Sequence, residues 1–391
     1  MALGLRRTSH ARLLQRYTQA NGDLITCDAE GAYDIRIWYT LCKLRPFFTR
    51  VPCSGRSALK SKIILVLLAA LCVAALDAGC TIPAAAPDVL PTTPTVGTAS
   101  ARPYIPMISK ASPYGEFWQT VKRGAEKAAQ DFQADMTFVG PDSDQQVDKQ
   151  LEMLQRAIDK KPAAICLAAV DTQAVIPLLQ KAQVAHIPVI SFDSGVDSDI
   201  PVTTVATDDI AAAATAADHM AQLIGNTGEV AIIAHDQTSS TGINRVKGFT
   251  DAMKTKYPGI TIVSTDYGAG DLLRSSLIVK TTIQAHPNLK GYFGANEASV
   301  SGLLDAVRTL KKEGQIVIVG YDSGKQQIEA IRSGVEAGAI TQDPIKIGYT
   351  CIEAAVKAIN GEVLPKTLDT GWHWYDRTNI DDPTLTPLLY R

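Results

Sequence analysis

The chain has 391 residues, 46% of them apolar, and a formal net charge of −2. That balance carries no electrostatic mark of a nucleic-acid binder, and the apolar content is ordinary for a globular protein. The length leaves room for about two domains of usual size. Residues 1–58 hold nine Lys/Arg against four Asp/Glu, with scattered aromatics and no sustained helical or strand period. They read as a doubtful N-terminal extension. Either they form a basic cytoplasmic arm, or translation starts later, near Val51 or Leu59; the fold reading leaves them out.

Residues 63–76 are almost purely aliphatic, preceded by Lys60 and Lys62 and followed by Ala78-Gly79-Cys80. The run is shorter than the ~20 apolar residues of a comfortable membrane span. A cationic flank, a short apolar core and small residues before a cut describe a secretory signal over 59–79. A cysteine directly after the small pair resembles a bacterial lipobox, which makes Cys80 the expected lipidated first residue of the mature protein. Asp77 departs from that pattern, standing where an aliphatic residue is usual. A retained membrane anchor is the alternative, and both place the large domain outside the cytoplasmic membrane. Residues 80–101 are rich in Pro, Ala and Thr, with Asp88 as their only charge. They read as an extended tether. Of the seven cysteines, only Cys166 and Cys351 lie beyond Cys80. Cys166 sits in a strand pattern and Cys351 in a helix pattern, and both are expected as buried small hydrophobes rather than a disulfide.

From Arg102 onward short apolar runs alternate with stretches of helical period. Strands are expected over 104–109, 136–139, 163–168, 188–192, 202–205, 229–234, 261–264, 291–293, 316–321 and 337–341. Helices are expected over 116–132, 146–160, 209–224, 242–256, 272–285, 299–312 and 345–360. Strands without clean alternation, each followed by a helix, imply parallel sheets covered on both faces. Ten strands exceed one comfortable doubly wound sheet, so the fold class is α/β with two doubly wound parallel-sheet lobes. Ligands in such sheets bind beyond the C-terminal strand ends. Those ends are polar here: Ser109-Lys110, Asp193-Ser194, His235-Asp236, Asn296-Glu297, Asp322-Ser323 and Gln342-Asp343. Each alone fits a helix N-cap. Together, with Phe117-Trp118 nearby, they suit sugar hydroxyls and the C–H faces of a sugar ring.

Further residues carry a resemblance. Phe117-Trp118 before Gly124-Ala125, Ile187-Pro188-Val189-Ile190-Ser191-Phe192-Asp193, Arg245 before Gly248-Phe249, Ala285-His286-Pro287, Asn296-Glu297, Val319-Gly320-Tyr321-Asp322 and Thr341-Gln342 recur in order over about residues 103–374. In this the chain resembles the ribose/galactose-type periplasmic sugar-binding proteins, whose lobes also form the effector domain of lactose-repressor-like regulators. The resemblance implies a type I periplasmic binding protein fold with a three-segment hinge. One lobe would span 102–207 plus 343–371, the other 208–342 plus 372–391. It implies that Phe117 and Trp118 form an aromatic clamp and that Asp193 accepts from sugar hydroxyls. Arg245, Asn296 and Asp322 would be contacts from the second lobe, and Gln342 a contact at the hinge. Two departures argue against assuming ribose. Ser194 stands where ribose binders have arginine, and Gly270 falls where the second lobe often supplies an aromatic side chain. Lys110 could supply the missing cation from the opposite side of the cleft.

Other signals were weaker. Gly320 to Lys325 is one residue short of a phosphate loop and lacks its Ser/Thr. Gly268-x-Gly270 lacks a third glycine. Asp193, Asp197 and Asp199 lack a calcium-loop glycine and terminal Glu, and His235-Asp236 has no nucleophile elbow to serve. His373, between two tryptophans, is expected as a packed tail residue. No cofactor, metal or catalytic set is expected. The reading is a monomeric, lipid-anchored solute receptor that delivers a monosaccharide to the permease of an ABC importer. The alternative is a sugar-sensing receptor or regulator built on the same lobes.

Overall fold

The computed structural model describes residues 102–390. The expected extension 1–58, signal segment 59–79, lipidation at Cys80 and tether 80–101 all fall outside the described residues. Two six-stranded sheets organise the rest. The first collects β1 (Tyr104–Ile108), β2 (Asp135–Val139), β3 (Ile165–Leu167), β4 (Val189–Phe192), β5 (Thr203–Ala206) and β11 (Thr367–Asp369), in the order β11-β5-β4-β3-β1-β2. The second collects β6 (Gly228–Ala234), β7 (Ile260–Tyr267), β8 (Leu289–Gly294), β9 (Val317–Tyr321), β10 (Gly338–Gln342) and β12 (Trp372–Asp376), in the order β12-β10-β9-β8-β6-β7. Every neighbouring pair is parallel except β10 with β12. The interior strands β3 and β4 are buried at every position, because helices cover both faces and no alternate side chain reaches water.

Helices α1 (Glu116–Asp131), α2 (Val147–Asp159), α3 (Ile176–Val184) and α9 (Pro344–Ile359) belong to the first lobe. Helices α4 (Asp209–Leu223), α5 (Ser240–Lys256), α6 (Leu272–Ala285), α7 (Glu297–Thr309) and α8 (Lys325–Ser333) belong to the second. In α1 the buried residues Phe117, Val121, Gly124, Ala125 and Ala128 recur at three- and four-residue spacing, the mark of one packed face. Gly124 meets α9 so closely that a Cβ there would overlap the backbone of Ile345. That contact fixes the return helix on the first lobe. Cys166 and Cys351 are both free and buried in this interface, with Cys166 Sγ 3.8 Å from the Cys351 carbonyl oxygen.

The chain passes between sheets three times: after β5, after β10, and between β11 and β12. The segment after β12 packs Leu385 and Leu389 into the second lobe, yet places Tyr390 against the first-lobe core. Four elements were not foreseen: α3, α8, β11 and β12. The strands are short or defined by their pairing partners, and the two helices are nine residues each. His373 also departs from expectation. It lies exposed on β12, while Trp372 and Trp374 pack against the second-lobe core.

Candidate ligand-binding cleft

Between the lobes lies a cavity of about 370 Å³, a volume typical of small-molecule sites, which run roughly 300–1,000 Å³. The eight residues singled out from sequence all line it: Lys110, Phe117, Trp118, Asp193, Arg245, Asn296, Asp322 and Gln342. The topology brings them together because β1 and β4 of one sheet, and β8, β9 and β10 of the other, end at the same cleft.

On the first lobe, Phe117 and Trp118 open α1, their rings 5.0 Å apart at 84°. Trp118 is held edge-on by Phe192 and Phe117 by Tyr390. Asp193 follows β4 with φ of +56°, a conformation rare for a residue with a Cβ and one that marks a constrained strand end. Its carboxylate is buried, and Oδ2 accepts no hydrogen bond. Burial pushes the Asp193 carboxyl up, and the charges of Lys110 and Arg245 oppose that. The Lys110 Nζ lies 3.6 Å from Asp193 Oδ2. Lys110 therefore stands on the same lobe as Ser194, not on the opposite side of the cleft, since β1 and β4 flank β3. Its tip crosses to the second lobe, donating to Thr241 Oγ1 and to His235 Nε2 at 3.4 Å. Ser194 also reaches across: its Oγ is 3.3 Å from Ser240 Oγ.

On the second lobe, Arg245 is buried on α5. Its Nε donates to Asp209 Oδ1 at 2.8 Å and its Nη1 to the Ala295 carbonyl at 3.0 Å. Nη1 also lies 3.6 Å from Asp322 Oδ2, and the guanidinium sits 3.9 Å over the Tyr321 ring. Burial works against the charged guanidinium, but Asp209 foremost, with Tyr321, Asp322 and Asp193, holds its pKa well above the ordinary value. Asp322 has φ of +81° and accepts from the Glu297 backbone N–H at 3.0 Å and from Gln342 Nε2 at 2.7 Å. Gln342 in turn accepts from Thr207 Oγ1 at 2.9 Å. Both ends of Gln342 are thus engaged within the protein, and it orients Asp322 from the hinge. Asn296 is the N-cap of α7, its Oδ1 accepting from Ser299 N at 3.0 Å. Its amide nitrogen remains for the cavity.

Further residues of the site were not among the eight singled out, although His235 and Glu297 stood among the polar strand ends. Asp209, the buried partner of Arg245, looked only like a helix start. The doublet Asp208-Asp209 was a usable signal: Asp208 caps α4 through Ala211 N, which leaves the second acid without that task. His235 lines the cavity as a neutral ring, its pKa pushed down to about 3 by burial and by the charge of Lys110. Glu297 also lines it, pushed up to about 8 by burial and by the charges of Asp322 and Glu116. Tyr390 backs Phe117, and its hydroxyl accepts from Ser323 N at 3.0 Å. Asp144, from the loop after β2, lines the cavity opposite Gly270.

Two α/β lobes joined by three crossings, with a polar and aromatic cavity between them, define a two-lobed solute-binding protein. The chain belongs to the periplasmic binding protein domain family, whose model matches residues 105–362. Among curated relatives it is similar to the D-ribose/D-allose-binding protein of Pseudomonas aeruginosa, 27% identical over 270 residues, covering 67% of this chain and 83% of that one. It is also similar to the ribose import binding protein of Bacillus subtilis, 24% identical over 254 residues, covering 64% and 80%. Among solved structures, an ABC transporter solute-binding protein from Agrobacterium vitis bound with α-D-tagatopyranose matches with a TM-score of 0.71 and 29% identity, over 74% of this chain and 100% of that one. A carbohydrate-transporter solute-binding protein from Agrobacterium radiobacter in complex with D-arabinose matches with a TM-score of 0.71 and 30% identity, over 74% and 100%.

Proposed function

We propose that this chain is an extracytoplasmic, lipid-anchored receptor that captures a monosaccharide, pentose or hexose, between its lobes and delivers it to the permease of an ABC importer. One observation carries the reading: a single cavity draws directional acceptors and donors from both lobes and an aromatic pair from one. Carboxylates, amide and guanidinium fix hydroxyl positions, and ring faces take the C–H surface of a sugar. Bonds that join the lobes, such as Thr172 N to Thr238 O at 2.9 Å and Lys325 N to Glu116 Oε2 at 2.9 Å, exist only while the cleft is shut. A ligand touching both walls therefore shifts the equilibrium toward closure. Both walls of the cavity come from one chain, which supports a monomeric receptor.

Titration calorimetry of the protein with D-ribose, D-allose, D-arabinose and D-tagatose is expected to give micromolar binding of at least one sugar. Absence of binding across that panel and its hexose and polyol neighbours overturns the reading. For the anchor, Cys80→Ser is expected to appear in the soluble extracytoplasmic or culture fraction. Retention at the membrane with an unshortened N-terminus would show that the apolar segment itself holds the protein there.

A further inference from the structure

The loop between β2 and α2 brings one carboxylate into the cavity that the contacts described above do not use. Asp144 is only 7% exposed and lines the cavity, yet it accepts no hydrogen bond from any other described residue and forms no ion pair among them. It is not a helix cap either: the N-cap position of α2 is Gln146, and no side chain caps that helix. The space it occupies is made by the second lobe. Gly270 has φ of +63°, and a Cβ there would overlap both carboxylate oxygens of Asp144. The charges that act on it are Lys110, which attracts it, and Asp236, which repels it. Lys110 is already engaged by Asp193, Thr241 and His235. A carboxylate taken largely out of water with only its own backbone N–H as donor is costly, and the deficit is met by protonation or by donors from a ligand.

We propose that Asp144 is a specificity-determining contact of this cleft, its carboxylate held in the space left by Gly270 and accepting hydrogen bonds from a ligand hydroxyl. The inference rests on the sugar reading and adds to it. The preferred sugar carries a hydroxyl at that position, and the site discriminates against the analogue that lacks it, because removing the donor leaves a buried acceptor unpaired.

The test is calorimetry with the best-binding sugar and its complete set of monodeoxy derivatives, on the wild type, Asp144→Ala and Asp144→Asn. In the wild type one deoxy position is expected to lose roughly 10- to 150-fold in affinity through Asp144, the span of a hydrogen bond to a charged group. In Asp144→Ala that penalty should shrink to a few-fold while penalties at the other positions stay unchanged. Asp144→Asn, which keeps one acceptor oxygen, should retain part of it. Gly270→Ala, whose Cβ displaces the carboxylate, should weaken discrimination at the same position. Identical deoxy penalties in wild type and both Asp144 variants overturn the inference while leaving the sugar reading intact. A wild type that binds no sugar overturns both.

Discussion

Arg245→Met is expected to destabilise the ligand-free protein by about 3–5 kcal/mol, the usual result of removing one partner of a buried ion pair. The reason is where the partners of Arg245 lie. Asp209, the Ala295 carbonyl, Asp322 and the Tyr321 ring all belong to the second lobe. Opening the cleft leaves these contacts in place, since none of them crosses it. Asp209, 5% exposed, would keep only the Tyr321 hydroxyl, which donates to it at 2.7 Å. Chemical denaturation without sugar is the measurement. Arg245→Lys should fall between, because an ammonium cannot reach the same acceptors as a planar fork. The double change Arg245→Met with Asp209→Leu should recover part of the loss, since it removes the stranded charge. Unaltered stability of Arg245→Met would mean that the arginine serves the ligand alone.

Lys110→Met is expected to act on binding instead, raising Kd roughly 100-fold while the unfolding transition of the ligand-free protein moves little. Lys110 is the cation nearest Asp193, 3.6 Å away, and its tip also meets His235 and Thr241 of the other lobe. In the variant Asp193 would be a buried, unpaired carboxylate when the cleft is shut. It escapes that state by the lobes parting, which hydrates it. The penalty therefore falls between open and closed forms rather than between folded and unfolded ones, and affinity reports it. A lysine offers a point charge and not a bidentate fork. The site is accordingly expected to tolerate related pentoses, hexoses and polyols at this end, and the same calorimetry across such a panel measures that. Unchanged affinity for the best ligand removes Lys110 from the site and leaves Ser194 without compensation.

Helix capping and cavity lining proved less separable than the sequence suggested. Asn296 is a cap and also lines the cavity. Asp322 binds the Glu297 amide at the start of α7 while lining the cavity from the end of β9. At the end of a parallel strand, the next helix N-terminus and the cavity wall share one small volume, so a single side chain can serve both.

Read without its structure, this chain already declared an α/β fold of two lobes. Its buried parallel strands appear as unbroken apolar runs, and each run stops at a polar residue. That local pattern is also why Asp193, Asn296, Asp322 and Gln342 could be picked out by position, and why the aromatic pair opening α1 stood out. The tertiary structure decided who pairs with whom. Lys110 meets Thr241 across 131 residues of sequence, Arg245 meets Asp209 across 36, and Tyr390 meets Ser323 across 67. Asp144 acquired its place only because Gly270, on the other lobe, leaves room for it. β11 and β12 exist as strands through their pairing with β5 and β10. Periodicity is written along the chain because it reflects which face of each element meets the core. Charge pairing and cavity shape depend on which strand ends the sheet order sets side by side, and no stretch of local sequence contains that order.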